Sequence, residues 1–153
     1  MDVITMNLKG VVQASLMFSA AATIYGVQLG LASSFAGDVY GIQAISVLNY
    51  AYRNVYGVQA SLFTNGARNA LSGLQIAPIN RAGEVNGLQI GLLNNAGTFR
   101  ELGAPTDNPG RVRGCQIGLY NEAGPLQGIQ IGLINRTVGR TFLPLTIGIN
   151  VGW

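Results

Sequence analysis

Histidine is missing altogether from these 153 residues, and cysteine occurs once. Without histidine there is no histidine-based catalytic triad and no histidine metal site. A single cysteine, Cys115, excludes an intrachain disulfide. It fills a repeat position held elsewhere by Val, Ile or Leu, so it reads as a small hydrophobe. Charge is scarce too, at 10% of residues against about 25% in an ordinary soluble domain. The net charge of +3 is too small to argue for nucleic acid as a partner, and the arginines lie outside the repeat cores rather than forming a face. Of the six acids only Glu101 and Asp107 share a loop, which leaves no good paired-carboxylate site. There is no Gly-Lys-Ser/Thr to complete a phosphate loop. No uninterrupted apolar run approaches the ~18 residues of a membrane helix, because Gly, Gln and Asn break every candidate. An enzyme is therefore not expected, and neither are catalytic residues, a cofactor or a metal.

What the chain has instead is apolar residues in short alternating runs. It is 48% hydrophobic with 22 Gly, and its mean hydropathy is +0.33. From Ile4 to Ser19 apolar and polar residues alternate with period two, a strand signal. Leu143 to Trp153 alternates again, with Leu143, Leu145, Ile147, Ile149, Val151 and Trp153 on one face. The chain opens on this strand-like pattern at Met1-Asp2 without a signal-peptide pattern, so an exported protein would be read here in its mature form.

Between the two ends lies a repeat. Gly87-Leu88-Gln89-Ile90-Gly91-Leu92-Leu93-Asn94 returns at Gly114 to Asn121 and at Gly128 to Asn135. Looser copies start at Gly26, Gly41, Gly57 and Gly73. The glutamines Gln13, Gln28, Gln43, Gln59, Gln75, Gln89, Gln116 and Gln130 are spaced by 15, 15, 16, 16, 14, 27 and 14. The step of 27 is one repeat plus an insertion, residues 98–110. The chain thus divides into repeats near 11–22, 24–37, 39–53, 55–69, 71–83, 85–97, 112–124 and 126–139, followed by a terminal strand at 141–153, all in one domain. The copy at Gly41 departs from the pattern and predicts a bulge or shift.

Two all-β architectures satisfy this grammar. The first is a small antiparallel up-and-down transmembrane β-barrel of about 8–10 strands built from 14–16-residue repeats. A ten-residue strand from Val85 to Asn94 is roughly 33 Å long, and tilted by about 45° it matches the ~25 Å apolar band of an outer-membrane barrel. Asn-x-Ala-Gly, at Asn80, Asn94 and Asn121, would be a hairpin turn. The Gly/Gln face would line the interior, and Tyr25, Tyr40, Tyr56 and Trp153 would sit at the interfaces. The nine strands counted are awkward, because single-chain bacterial barrels are normally even-numbered. The alternative is a parallel β-solenoid with one repeat per coil. There Leu88, Ile90, Leu92 and Ala96 would point inward, Asn94 would form a corner ladder, and the Gly-Gln-small face would be a flat outer surface. In either case the eight glutamines are the candidate lumen or ladder residues. Arg100, Glu101, Asp107 and Arg111, in and beside the insertion, are the candidate recognition loop.

Gly128 to Asn135, followed by Gly139, Pro144 and Asn150 before Trp153, resembles the surface repeat-containing bacterial envelope proteins, a group that includes variable surface proteins and lipoproteins. The resemblance covers roughly residues 25–153. It implies an outer-membrane or cell-surface location and no catalytic activity. The chain lacks a lipoprotein cysteine at its start. The expected function is a structural or passive-pore envelope barrel, with an adhesin or self-assembly and partner-binding solenoid as the alternative. Its expected partners are a lipid membrane and a second copy in a homo-oligomer.

Overall fold

The computed structural model describes residues 12–15, 18–97, 110–138 and 144–153, without the side chains of 13–15 and of Ile45. Its strands are β1 (Val12–Ser15), β2 (Phe18–Gly30), β3 (Ser33–Ala51), β4 (Asn54–Ile76), β5 (Ile79–Ile90), β6 (Leu93–Ala96), β7 (Val112–Ile117), β8 (Tyr120–Ala123), β9 (Leu126–Thr137) and β10 (Leu145–Gly152). All ten belong to one sheet.

The chain is a β-solenoid and not a barrel. In a meander, successive strands run antiparallel. Here β1 to β9 pair in parallel, and each repeat lies on the next with like residues facing: Gly73 on Gly87, Gln75 on Gln89, Asn80 on Asn94, Ala82 on Ala96. Only β10 among the described strands runs antiparallel, folding back onto β9 with Asn150 opposite Gln130. The supposed hairpin turns are strand. Asn80 to Gly83 lies inside β5, while Asn94 to Ala96 is β6 and Asn121 to Ala123 is β8. The chain instead bends at residues 77–78, 91–92 and 118–119. Each coil therefore has a first side such as Val85 to Ile90 and a second such as Leu93 to Ala96.

The interior is narrow and half polar. Fully buried side chains form four ladders along the axis: Val39, Val55, Leu71, Val85 and Val112; Ala36, Ala51, Ala67, Ala82, Ala96 and Ala123; the glutamines from Gln28 to Gln130; and the asparagines from Asn49 to Asn135. This corrects the faces assigned to a solenoid. Ala96 and Asn94 do point inward, but so does Gln89, whereas Leu92 is 54% exposed and Leu88 and Ile90 lie half-buried on the outside. A coil this tight holds one Val, Leu or Ile, one Ala and two amides per turn, and Leu88 and Ile90, alternating with the inward Gln89, must face out.

Glycine explains how the first side of the coil can close on small residues. Gly73 and Gly87 have φ of +146° and +152°, where L side chains rarely go. A Cβ on Gly87 would collide with the Gly73 carbonyl oxygen of the coil below. Coils of 16 residues absorb their extra residues as register shifts between Gln43 and Leu48 and between Ala67 and Ala70. The insertion leaves the ladder unbroken: Val85 pairs directly with Val112, and the Gly110 N–H donates to the Ala96 carbonyl at 3.0 Å.

Candidate functional surface

The seven glutamines from Gln28 to Gln130 are completely buried, so they line no passage. A buried amide without partners costs about 1–3 kcal/mol, and the stacked coils remove that cost. Each Nε2 donates to the Oε1 of the glutamine one coil earlier: Gln43 to Gln28 at 2.6 Å, Gln59 to Gln43 at 2.6 Å, Gln75 to Gln59 at 2.7 Å. Gln89 to Gln75, Gln116 to Gln89 and Gln130 to Gln116 follow, each at 2.8 Å. Gln28, Gln59, Gln75 and Gln116 also donate to a carbonyl across their own coil, those of Phe35, Gly66, Arg81 and Glu122. A carbonyl only accepts, so this contact fixes which end of each amide is nitrogen. Gln13 aligns with Gln28 through its backbone.

The asparagine ladder runs the other way. Asn49 donates to Asn65, Asn65 to Asn80, Asn80 to Asn94, Asn94 to Asn121 and Asn121 to Asn135, at 2.8–3.1 Å. Gln side chains thus donate toward the first coil and Asn side chains toward the last, so their amide dipoles oppose one another inside a single coil. Sequence reasoning placed Asn94 in a ladder only for a solenoid, and as a corner residue. The signal that would have paired the two ladders is the Asn five or six residues after each Gln from Gln43 onward.

The remaining candidates are dispersed. Tyr25, Tyr40 and Tyr56 stack on successive coils, with ring centroids 5.1 and 4.8 Å apart and planes 8° from parallel. Burial within that stack, with Asp38 and the two flanking phenols, pushes the Tyr40 phenol above its ordinary value. Trp153 is 94% exposed, beyond β10 at the opposite end of the axis. Arg100, Glu101 and Asp107 lie outside the described residues; Arg111 is exposed at the start of the coil that follows. Among the described residues no three His, Cys, Asp or Glu side chains gather as a metal ligand set. Two charged contacts lie on the surface. Burial works against the Asp38 carboxylate, but the Arg53 guanidinium and the Asn54 backbone and side-chain N–H groups together hold it below its usual range. Glu122, nearly buried, accepts from the Tyr120 hydroxyl at 2.5 Å and pairs with Arg136 at 3.1 Å.

The outer surface divides lengthwise. On one half, four ladders run along the axis. The first comprises Val27, Ile42, Val58, Leu74, Leu88, Cys115 and Ile129, and the second includes Ile76, Ile90, Ile117 and Ile131. Around the bend lie Leu92, Leu119 and Leu133, then Ile79, Leu93, Tyr120 and Ile134. β10 prolongs the first two, with Val151 beside Ile129 and Ile149 beside Ile131. No charged residue falls in these ladders. The described charges, such as Asp38, Arg53, Arg81, Glu84, Arg113 and Arg136, occupy the other half. Leu133 is 62% exposed and Phe63, at the bend of an earlier coil, 60%.

Compared with known proteins, the chain matches no family model, no curated protein and no solved structure.

Proposed function

We propose that this protein is a non-catalytic β-solenoid scaffold of the cell envelope that works by association along its uncharged apolar flank. One observation carries the reading: four columns rich in Leu, Ile and Val face outward along the length of the solenoid, while its interior is already filled by amides, Ala and a single inward aliphatic ladder. The fold does not need those side chains inside, and a patch of this extent on a monomer marks an interaction surface. The envelope location rests on the resemblance of the Gly-x-Gln-x-Gly-Leu-x-Asn repeats to bacterial surface-repeat proteins. A pore has no support in this geometry, because hydrogen-bonded glutamines fill the interior.

The test is phase partition between detergent and water. The wild-type chain is expected in the detergent phase or in detergent-sensitive assemblies, and the L92K/L119K/L133K variant in the aqueous phase with an unchanged far-UV spectrum. A wild-type chain that stays aqueous and behaves like the variant at every concentration would remove the flank as a working surface.

A further inference from the structure

We infer that the occupant of the apolar flank is a second copy of this chain, packed flank to flank in a twofold dimer. This rests on the scaffold reading above and names its partner. Two observations single out a second copy.

The first is period. The flank is a set of ridges running along the axis, each a column of Leu, Ile or Val side chains repeated once per coil, about 4.8 Å apart. The columns that contain Leu88 and Ile90 are two residues apart on the same strand, and because the intervening Gln89 points inward the strip between the two ridges carries no outward side chain. A ridge seats along its whole length only in a groove of the same pitch and chemistry, the arrangement of a dry, interdigitated sheet interface. A second copy supplies that pitch, whereas an irregular globular surface does not. A twofold contact is also closed, since each copy uses the same patch.

The second is area. Among the described residues, the seven coils with a buried glutamine and the β10 rung give a flank about 38 Å long at about 4.8 Å per rung. From Leu88 around the bend to Leu93 the width is roughly 15–20 Å at about 3.3 Å per residue. The product is on the order of 700 Å², close to the ~800 Å² that each partner buries in a stable protein interface. It lies at or above the top of the roughly 300–600 Å² range for the largest patch on an ordinary monomer. A lipid surface fits less well. Of the described cations beside the flank, Arg136 is paired with Glu122, and Arg81 and Arg113 are fewer than the about 4–8 clustered cations that recruit anionic headgroups.

Sedimentation of the full chain without detergent tests this, with flotation on zwitterionic and on anionic vesicles run in parallel. The expected result is a species of twice 16.0 kDa that does not float. The L92K/L119K/L133K variant should weaken its dissociation constant by about a hundredfold or more, the exposed apolar anchors of three successive coils having been replaced by charges. An N86K/N95K variant, altered on the charged half, should dimerise like wild type. To locate the contact, the Leu74→Cys, Cys115→Ser variant places one thiol halfway along the first column of the flank, which faces itself in a dimer whose twofold axis crosses the solenoid axis. It should cross-link to itself through a bismaleimide that spans the roughly 10 Å between facing sheets. A dimer that persists in the triple variant, or that does not cross-link at Leu74→Cys, overturns the flank as the interface. A wild-type monomer that floats with vesicles overturns the second copy but leaves the flank as the working surface. A monomer that neither floats nor partitions into detergent overturns both.

Discussion

A glutamine in this molecule is a core residue, and its worth depends on its neighbours one coil above and below. Gln89 donates to Gln75 and accepts from Gln116, so replacing it strands an acceptor on one side and a donor on the other. Gln89→Ala should therefore cost about 3–5 kcal/mol, combining two unsatisfied buried amide groups with the cavity left behind. Denaturant unfolding monitored by far-UV circular dichroism measures it, and a loss below ~1 kcal/mol would mean that water replaces the rung. Gln89→Leu keeps the volume but not the bonds, and should lose only the hydrogen-bond share, about 2–4 kcal/mol. The ladder also contains a natural break. Asn49 is the first asparagine of its ladder, and its Oδ1 is buried with no hydrogen-bond partner. Where the earlier coil would place the next rung stands Ser34, whose hydroxyl bonds that of Ser46, three residues before Asn49, at 2.7 Å. One rung can end in this way because only one of the amide's two ends is left over.

At the scale of the repeat, the glycine that opens each coil does what no other residue could. Gly87 sits at φ +152° under the carbonyl oxygen of Gly73. Gly87→Ala should cost more than about 2 kcal/mol, from backbone strain plus the clash between coils. Gly148, at φ +85° with open space around its missing side chain, should suffer only the strain; similar melting losses for the two alanine variants would refute the close-approach argument. These elements also show how much was legible. The all-β class, the 14–16-residue period and the insertion stood in the sequence as spacing between glutamines. The stacking direction did not, because period-two alternation records which residues share a face and not which strand lies beside it. Gly and Gln at fixed positions suit a barrel lumen as well as a coil interior. The sides of the solenoid were misread because Leu88, Ile90 and Leu92 are the larger hydrophobes and so were assigned to its core. The interior, however, is set by the tight approach of the coils, which leaves room for one Val, Leu or Ile, one Ala and two flat amides per turn. The insertion stood in the sequence, but three of its four recognition candidates lie outside the described residues. The apolar flank, read as lipid-facing on the barrel, was legible as a face but not as a surface along a rod.

For the whole molecule, two amide ladders of opposite polarity create two different problems at each end. At the end of the Gln ladder the spare group is an acceptor, Gln130 Oε1, and at the same end of the Asn ladder it is a donor, Asn135 Nδ2. β10 answers both. By running antiparallel it brings the Asn150 Nδ2 to Gln130 Oε1 at 2.7 Å and the Gly148 carbonyl to Asn135 Nδ2 at 3.0 Å. Asn150 also donates to the Thr137 hydroxyl at 2.8 Å. At the first described rung of the Gln ladder, the Ser19 hydroxyl also accepts from the Gln28 Nε2 at 3.0 Å. A further parallel coil would continue the same side-chain pattern without limit, whereas a reversed strand ends it. Removing residues 144–153 should therefore open the β9 edge and both ladder ends, which together form a template for another chain. In the L92K/L119K/L133K background, where flank association is suppressed, the truncated chain should assemble end to end into rods with a ~4.8 Å axial repeat. Asn150→Ala in the same background keeps the strand and loses only its donor. It should stay monomeric while unfolding about 1–3 kcal/mol more readily. A truncated chain that remains monodisperse would show that β9 needs no cap. Rods formed by Asn150→Ala alone would show instead that the amide bond to Gln130, and not the covered strand edge, is what ends the stack.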